Sequence, residues 1–191
     1  MSHHFYAMLS RMKNIYRWGL MRNTKPENLS EHSLETAYIA HALALIRNNC
    51  FGGNINPERV AVAAMFHDTS EIITGDMPTP VKYYNKQIKD VYKEIEAAAQ
   101  DTLTDMLPEY MREDIADIYN DSSEDTQKLV KAADKISAYI KCVEELNMGN
   151  REFAVAEQST KKAIEAMQLP EADLFMKDFI PSFSLSLDEQ K

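Results

Sequence analysis

The chain has 191 residues, 45% of them apolar and 27% charged, and a net charge of −9. That length holds one sizeable core rather than two domains, and the composition is that of a folded globular protein. The acidic balance argues against a nucleic-acid groove, and two cysteines are too few for a disulfide framework or a cysteine-rich zinc pattern.

The longest apolar run, Val60 to Phe66, falls far short of the ~18 residues of a membrane span. The N-terminal MSHHFYAMLSRMK carries no secretory apolar region, so a reducing, cytoplasmic location is expected. Met1 to Pro26 holds five basic residues and no acidic one. Such a local positive field suits a small anionic ligand; its alternative is a solvated basic helix face.

In chain order, Phe5, Met8, Leu9, Met12 and Tyr16 predict a first helix ending near Gly19, with Arg17 and Trp18 at its C-terminal edge. After a polar connector, Asn28 or Ser30 caps a second helix whose predicted buried stripe is Leu34, Tyr38, His41 and Leu45. His32 falls in its first turn, and a loop follows from Asn48 to Asn54. Asn56-Pro57 opens a third helix bearing Val60, Ala63, Ala64 and Phe66, then His67, Asp68 and Glu71. It should close at Thr74-Gly75 and the rigid Met77-Pro78-Thr79-Pro80, whose prolines prevent continuation. Ile88, Val91, Ile95, Ala98 and Met106 predict a long fourth helix, and Met111, Ile115 and Ile118 a fifth.

Ser122-Ser123-Glu124-Asp125 reads as a capping box opening a sixth helix that runs to Gly149. Its apolar face is Leu129, Ala133, Ile136, Ile140 and Val143, with Asp134 beside that face. Two more helices are expected, about Arg151 to Met167 and Glu171 to Ile180. With no strand alternation or repeat, the fold class is all-α.

A lone His-Asp pair is common by chance, so its company decides. Glu71 is four residues from His67 and three from Asp68, which puts all three toward one surface of a helix. His32 lies on a separate helix. Asp134 sits near a buried face, where an ionised carboxylate costs several kcal/mol unless paired or metal-bound. Two imidazoles and two carboxylates can jointly hold a divalent first-row metal and leave positions open for water and phosphate oxygens.

The order His32, His67-Asp68, Asp134 resembles the HD-domain metal-dependent phosphohydrolases, an all-α superfamily of helical bundles. With Arg17-Trp18, HDTSE and GDMPTPVKY, it resembles more closely the bacterial HD-domain 5'-deoxynucleotidases, across nearly the whole chain and as one HD domain. The resemblance implies hydrolysis of 2'-deoxyribonucleoside 5'-monophosphates to deoxyribonucleoside and phosphate, with ribonucleotides disfavoured. It implies that His32, His67, Asp68 and Asp134 ligate one divalent transition metal per chain, such as Co, Mn or Zn. Glu71 would be the catalytic acid/base, its alternative being an exposed helix-end carboxylate. Arg17 would hold the phosphate by charge-assisted hydrogen bonds, or else complement a helix dipole. Trp18 would pack where a ribose 2'-OH projects, or else anchor the core. Asp76 would accept from the sugar 3'-OH, or else merely turn the chain, and Met77, Pro78 and Thr79 would complete the substrate loop along with His32 and Asp68.

A homodimer is implied too, with neither a nucleic-acid polymer nor a membrane as partner. Thr69, where a smaller residue is common, is expected to crowd the metal shell slightly; Met77 replaces an expected leucine. Two rival functions share these motifs: an HD phosphodiesterase or nucleotide pyrophosphohydrolase, and a non-catalytic metal- or nucleotide-binding regulatory module. His41 is expected to be a core histidine, and His3 and His4 part of a tail.

Overall fold

Short polar side chains cap four of the described helices. The Asn28 side chain accepts from the backbone N–H groups of Ser30 and Glu31, at 3.0 and 3.1 Å, while the Glu31 carboxylate accepts from the Asn28 N–H at 3.3 Å. This reciprocal capping box opens the long second helix. Asn56 caps the third through the Arg59 N–H at 3.0 Å, and Asn85 caps another through the Ile88 N–H at 2.8 Å. Ser123 accepts from the Thr126 N–H at 3.2 Å. Ser122, the other half of that expected box, lies outside the described residues.

The computed structural model describes residues 2–82, 84–121 and 123–191. Its helices are α1 (Phe5–Leu9), α2 (Leu29–Phe51), α3 (Pro57–Phe66), α4 (Glu71–Thr74), α5 (Thr79–Lys82), α6 (Lys86–Asp105), α7 (Glu109–Tyr119), α8 (Glu124–Asn147), α9 (Ala154–Glu165) and α10 (Pro170–Asp178). The described residues also form three 3-10 turns, Ser10–Asn14, Arg151–Phe153 and Ile180–Ser184. Among the described residues there is no strand, only one antiparallel bridge between Tyr16 and Asn28. The all-α expectation holds. No described helix is long and apolar enough to cross a membrane.

The chain divides into two compact units. The first comprises Met1–Arg22, Pro26–Ser33 and Phe66–Asp121. Its core is Phe5, Leu103, Leu107 and Ile115, against which Phe66, Ile72 and Tyr119 pack. The Phe5 and Phe66 rings stack at 6.5 Å, and the Phe66 ring meets Tyr119 edge-on at 6.2 Å. These contacts hold the segment just before His67. His4, expected in a tail, donates its backbone N–H to the Met106 carbonyl at 3.2 Å.

The second unit comprises Asn23–Lys25, Leu34–Met65 and Ser122–Lys191. Leu43, Val60, Ala64, Leu129, Ala133 and Ile136 are completely buried in its core. Each large aliphatic side chain there stabilises the fold by roughly 1.5–3 kcal/mol. Glu145, also completely buried, accepts from the Thr24 and Lys25 backbone N–H groups, from Asn150 and from the Lys141 ammonium. This cluster ties residues 23–25 to α8.

Three sequence expectations are corrected. The first helix stops at Asn14, not Gly19, because Ile15 turns extended and Tyr16 pairs with Asn28. In α2 the expected buried stripe is largely exposed, with Leu34 at 48%, Tyr38 at 67% and Leu45 at 40%, and His41 is half-buried. The core instead takes Ala37, Ala40, Leu43 and Ala44, since this helix is apolar on two faces and periodicity does not rank them. In α6 the buried face is Tyr92, Ala99 and Leu103, while Val91 and Ile95 are exposed.

Candidate active site

The HDTSE segment is not a helix end but a break. Helix α3 stops at Phe66, residues 67–70 form a turn, and α4 restarts at Glu71. The Thr69 hydroxyl helps make the break by donating to the Phe66 carbonyl at 2.8 Å, and it is hydrogen-bonded with the Tyr119 hydroxyl at 2.9 Å. Thr69 is therefore used as a turn-former, 1% exposed, with its hydroxyl engaged by Phe66 and Tyr119. Two backbone bonds lock the restart: Glu71 N–H to the Asp68 carbonyl at 3.0 Å, and Gly75 N–H to the Glu71 carbonyl at 2.8 Å. Gly75 has φ +74, a left-handed value that only glycine adopts at little cost.

This turn brings His67 and Asp68 against His32 in the first turn of α2. Asp68 Oδ2 lies 3.5 Å from His32 Nε2 and 3.2 Å from His67 Nε2. The three ligand atoms all lie within 4.8 Å of one another. Donors that each sit about 2 Å from a first-row ion are themselves a little over 3 Å apart, so the set suits such an ion. Arg17 joins it, Nη1 donating to Asp68 Oδ2 at 3.2 Å. Burial alone would raise the Asp68 carboxyl. The His67 and His32 imidazoles and the Arg17 guanidinium outweigh it and hold the group well below the usual carboxylate range.

Glu71 is 4% exposed, which removes the reading of an exposed helix-end carboxylate. Its Oε2 is buried with no hydrogen-bond partner. Burial first, then the charges of Asp68 and Asp76, push its carboxyl up to about 9, against the opposing pull of Lys82 and Arg17. Burial likewise raises Asp76, whose carboxylate accepts from the Trp18 backbone N–H. Three carboxylates thus crowd one partly buried place, and a divalent cation bound among His32, His67 and Asp68 would relieve them. The donor set and the unbonded Glu71 oxygen fit a metal.

Arg17 and Trp18 lie beyond the last helical turn, so Arg17 does not cap a helix dipole. Trp18 is half-buried at φ +58. Met77 and Pro78 are half-buried, and the Pro78 carbonyl starts α5 by accepting from the Val81 N–H at 2.8 Å. Thr79 is exposed. The proline segment thus begins a helical turn as well as blocking the preceding one. Asp134 stands half-buried in the middle of α8, in the second unit.

A family model described as 5'-deoxynucleotidase YfbR-like matches residues 4–183. The chain belongs to the YfbR-like 5'-deoxynucleotidase family. A 5'-deoxynucleotidase of Vibrio parahaemolyticus is 55% identical over 97% of this chain and 97% of its own length. The 5'-deoxynucleotidase YfbR of Escherichia coli is 54% identical over 97% of this chain and 94% of its own. An HD-domain phosphohydrolase from Listeria innocua superposes with a TM-score of 0.81 at 21% identity, covering 98% of this chain and 91% of that one. The cyanophage S-2L HD phosphohydrolase DatZ, solved with dA and one catalytic Zn2+ ion, gives a TM-score of 0.67 at 19% identity, covering 93% and 96%. These two likenesses establish the HD-domain fold.

Sequence reasoning about this YfbR-like chain overlooked two charged residues. Glu27 is the first acid after five basic residues, a signal that was available, and its Oε2 accepts from Arg17 Nε at 3.2 Å and Trp18 Nε1 at 2.8 Å. Lys82 stands in the GDMPTPVKY motif, 4.0 Å from Glu71 Oε1, 2.8 Å from Glu96 and 4.6 Å over the Tyr92 ring. Burial alone would lower Lys82; the Glu96 carboxylate outweighs that and raises it above the ordinary lysine value.

Proposed function

We propose that this YfbR-like protein hydrolyses 2'-deoxyribonucleoside 5'-monophosphates and discriminates against ribonucleotides, acting as one HD domain with one divalent transition metal per chain. The observation that carries the reading is the meeting of Arg17, His32 and His67 on a single oxygen, Asp68 Oδ2, beside a buried Glu71. In this reading a phosphate anchor and metal donors meet in the electrostatic neighbourhood of the carboxyl that exchanges the proton. The deoxynucleotidase names of relatives identical at more than half their positions support the substrate, as does the dA and Zn2+ held by DatZ.

His32, His67 and Asp68 would hold the metal, with Asp134 proposed as its fourth ligand. Bound there, a divalent ion supplies an activated water near neutral pH and neutralises phosphoryl oxygens. Arg17 binds the phosphate, its planar guanidinium matching two phosphoryl oxygens. Glu71 accepts a proton from the attacking water and returns one to the departing 5' oxygen, and no covalent phosphoenzyme forms. Trp18 fills the space of a ribose 2'-OH, so a ribonucleotide meets a clash or buries an unpaired hydroxyl. Asp76 accepts from the 3'-OH, and Met77, Pro78 and Thr79 border the sugar.

The protein is cytoplasmic in this reading and pairs as a homodimer, a state supported by the exposed apolar stripe Leu34, Tyr38 and Leu45 on α2. Light scattering on Tyr38→Glu should then give a smaller mass than wild type. The function is tested by phosphate release from dAMP and AMP, with metal-free protein and with added Mn, Co, Zn or Mg. Metal-dependent release from dAMP with little from AMP is expected. Equal release from both removes the Trp18 gate, and release from neither, with hydrolysis of cyclic or polyphosphorylated nucleotides, replaces the reading with a phosphodiesterase.

A further inference from the structure

Glu27 is a buried carboxylate, 9% exposed, that neither the ligand set nor the proton transfer uses. Its Oε2 accepts from Trp18 Nε1 at 2.8 Å and from Arg17 Nε at 3.2 Å. Its Oε1 lies 3.9 Å from His32 Nδ1, within ion-pair reach and too long for a direct hydrogen bond. One carboxylate thus touches both the phosphate anchor and the sugar gate, and it faces the Nδ1 side of an imidazole whose Nε2 faces Asp68.

The backbone prepares this meeting. Arg17 donates its N–H to the Glu27 carbonyl at 2.9 Å, Leu29 donates to the Ile15 carbonyl at 3.0 Å, and Tyr16 pairs with Asn28 between them. Antiparallel pairing of this kind sets the side chains of Arg17 and Glu27 on one side of the ribbon. Trp18 follows at φ +58, a conformation that a bulky L-residue keeps only where its surroundings over-determine it. The indole bond to Glu27 and the backbone bond to Asp76 are two such restraints. A guanidinium tied through Nε leaves its terminal nitrogens facing outward, and Nη1 does face Asp68.

We propose that Glu27 is the positioning residue for deoxynucleotide recognition: its carboxylate fixes the Arg17 guanidinium and the Trp18 indole relative to each other, so that phosphate and sugar are read together. This rests on the roles given above to Arg17 and Trp18. A mobile Trp18 would leave room for the 2'-OH, and a mobile Arg17 would bind phosphate at a greater ordering cost.

Trp18 is the only tryptophan, so its emission reports this contact without any turnover. The experiment compares wild type, Glu27→Ala and Glu27→Gln by emission spectrum, acrylamide quenching, and kcat and KM for dAMP and AMP. Glutamine keeps the size and an acceptor oxygen for the indole but loses the charge facing Arg17. Glu27→Ala is expected to red-shift the emission and raise quenching. Its KM for dAMP should rise roughly tenfold with a smaller change in kcat, and its preference for dAMP over AMP should fall roughly tenfold. Glu27→Gln is expected to restore emission and preference toward wild type while KM stays raised. Wild-type emission and wild-type KM in Glu27→Ala overturn the proposal; if that variant fails to fold, a wild-type KM in Glu27→Gln overturns it. A wild-type enzyme that takes dAMP and AMP equally would sink the Trp18 gate instead, and emission with the dAMP KM then decides on Glu27.

Discussion

Arg17 Nη1 and Asp68 Oδ2 are 3.2 Å apart, so the cation proposed to hold phosphate is hydrogen-bonded to a proposed metal ligand. With those roles, a metal drawing on Asp68 would free Arg17 for phosphoryl oxygens, and phosphate drawing on Arg17 would free Asp68 for the metal. Loss of Arg17 should then act on binding more than on the chemical step. Arg17→Ala is expected to lower kcat/KM for dAMP by roughly 10- to 100-fold, the loss of one or two charge-assisted hydrogen bonds, mostly through KM. Arg17→Lys should recover only part, since a point charge does not match two oxygens. Steady-state kinetics decides, and an unchanged KM in Arg17→Ala removes the anchor.

A Glu71 variant would separate the proposed chemistry from metal binding. Glu71→Gln keeps the volume of a side chain that is 4% exposed, so the fold should persist. kcat should fall by roughly 10²–10⁴ if the carboxyl transfers a proton. Metal content by elemental analysis should stay at the wild-type level. Full turnover with metal bound would reassign the acid/base.

Asp134 is tested by heat rather than by rate. Metal that binds only the folded protein stabilises it by about 2.7 kcal/mol at 100 times Kd, a rise in Tm of roughly 5–11 °C for a chain of this length. Calorimetry with and without Mn or Zn should show that rise in wild type and lose most of it in Asp134→Ala. A rise in Asp134→Ala as large as in wild type would take Asp134 out of the ligand set.

The Glu145 cluster predicts an acid limit on stability. Burial alone would raise Glu145, but bonds from Lys141, Asn150 and the Thr24 and Lys25 N–H groups outweigh it and bring the carboxyl down to about 2 from an ordinary 4.5. A carboxyl depressed by folding stabilises above its unfolded value and loses that contribution as pH falls through the folded one. The contribution is about 3 kcal/mol, present at pH 7 and lost from about pH 4.5 down to about pH 2. Urea unfolding across that range should show a steeper acid loss in wild type than in Glu145→Gln. Glu145→Ala should cost about 3–5 kcal/mol at pH 7, because Lys141 is 4% exposed and would keep a buried charge.

Helix starts were legible in the sequence because capping is local: Asn28 with Glu31, Asn56 with Arg59 and Ser123 with Thr126 all meet within three residues. The all-α class and the candidate ligands His32, His67 and Asp68 could be read for the same reason, from residue type, spacing and resemblance. Which face of a helix is buried was another matter. Helix α2 carries apolar residues on two faces, and the choice of Leu43 over Leu45 was made by α3 and α8 packing on one side of it. The spacing of His67, Asp68 and Glu71 suggested one continuous helix, whereas the Thr69 hydroxyl and the core under Phe66 break it there. Only the tertiary structure could reveal Glu27 as the residue that ties Arg17 to Trp18. That bond depends on Tyr16 lying opposite Asn28, an alignment of two irregular segments that no helical or strand period encodes.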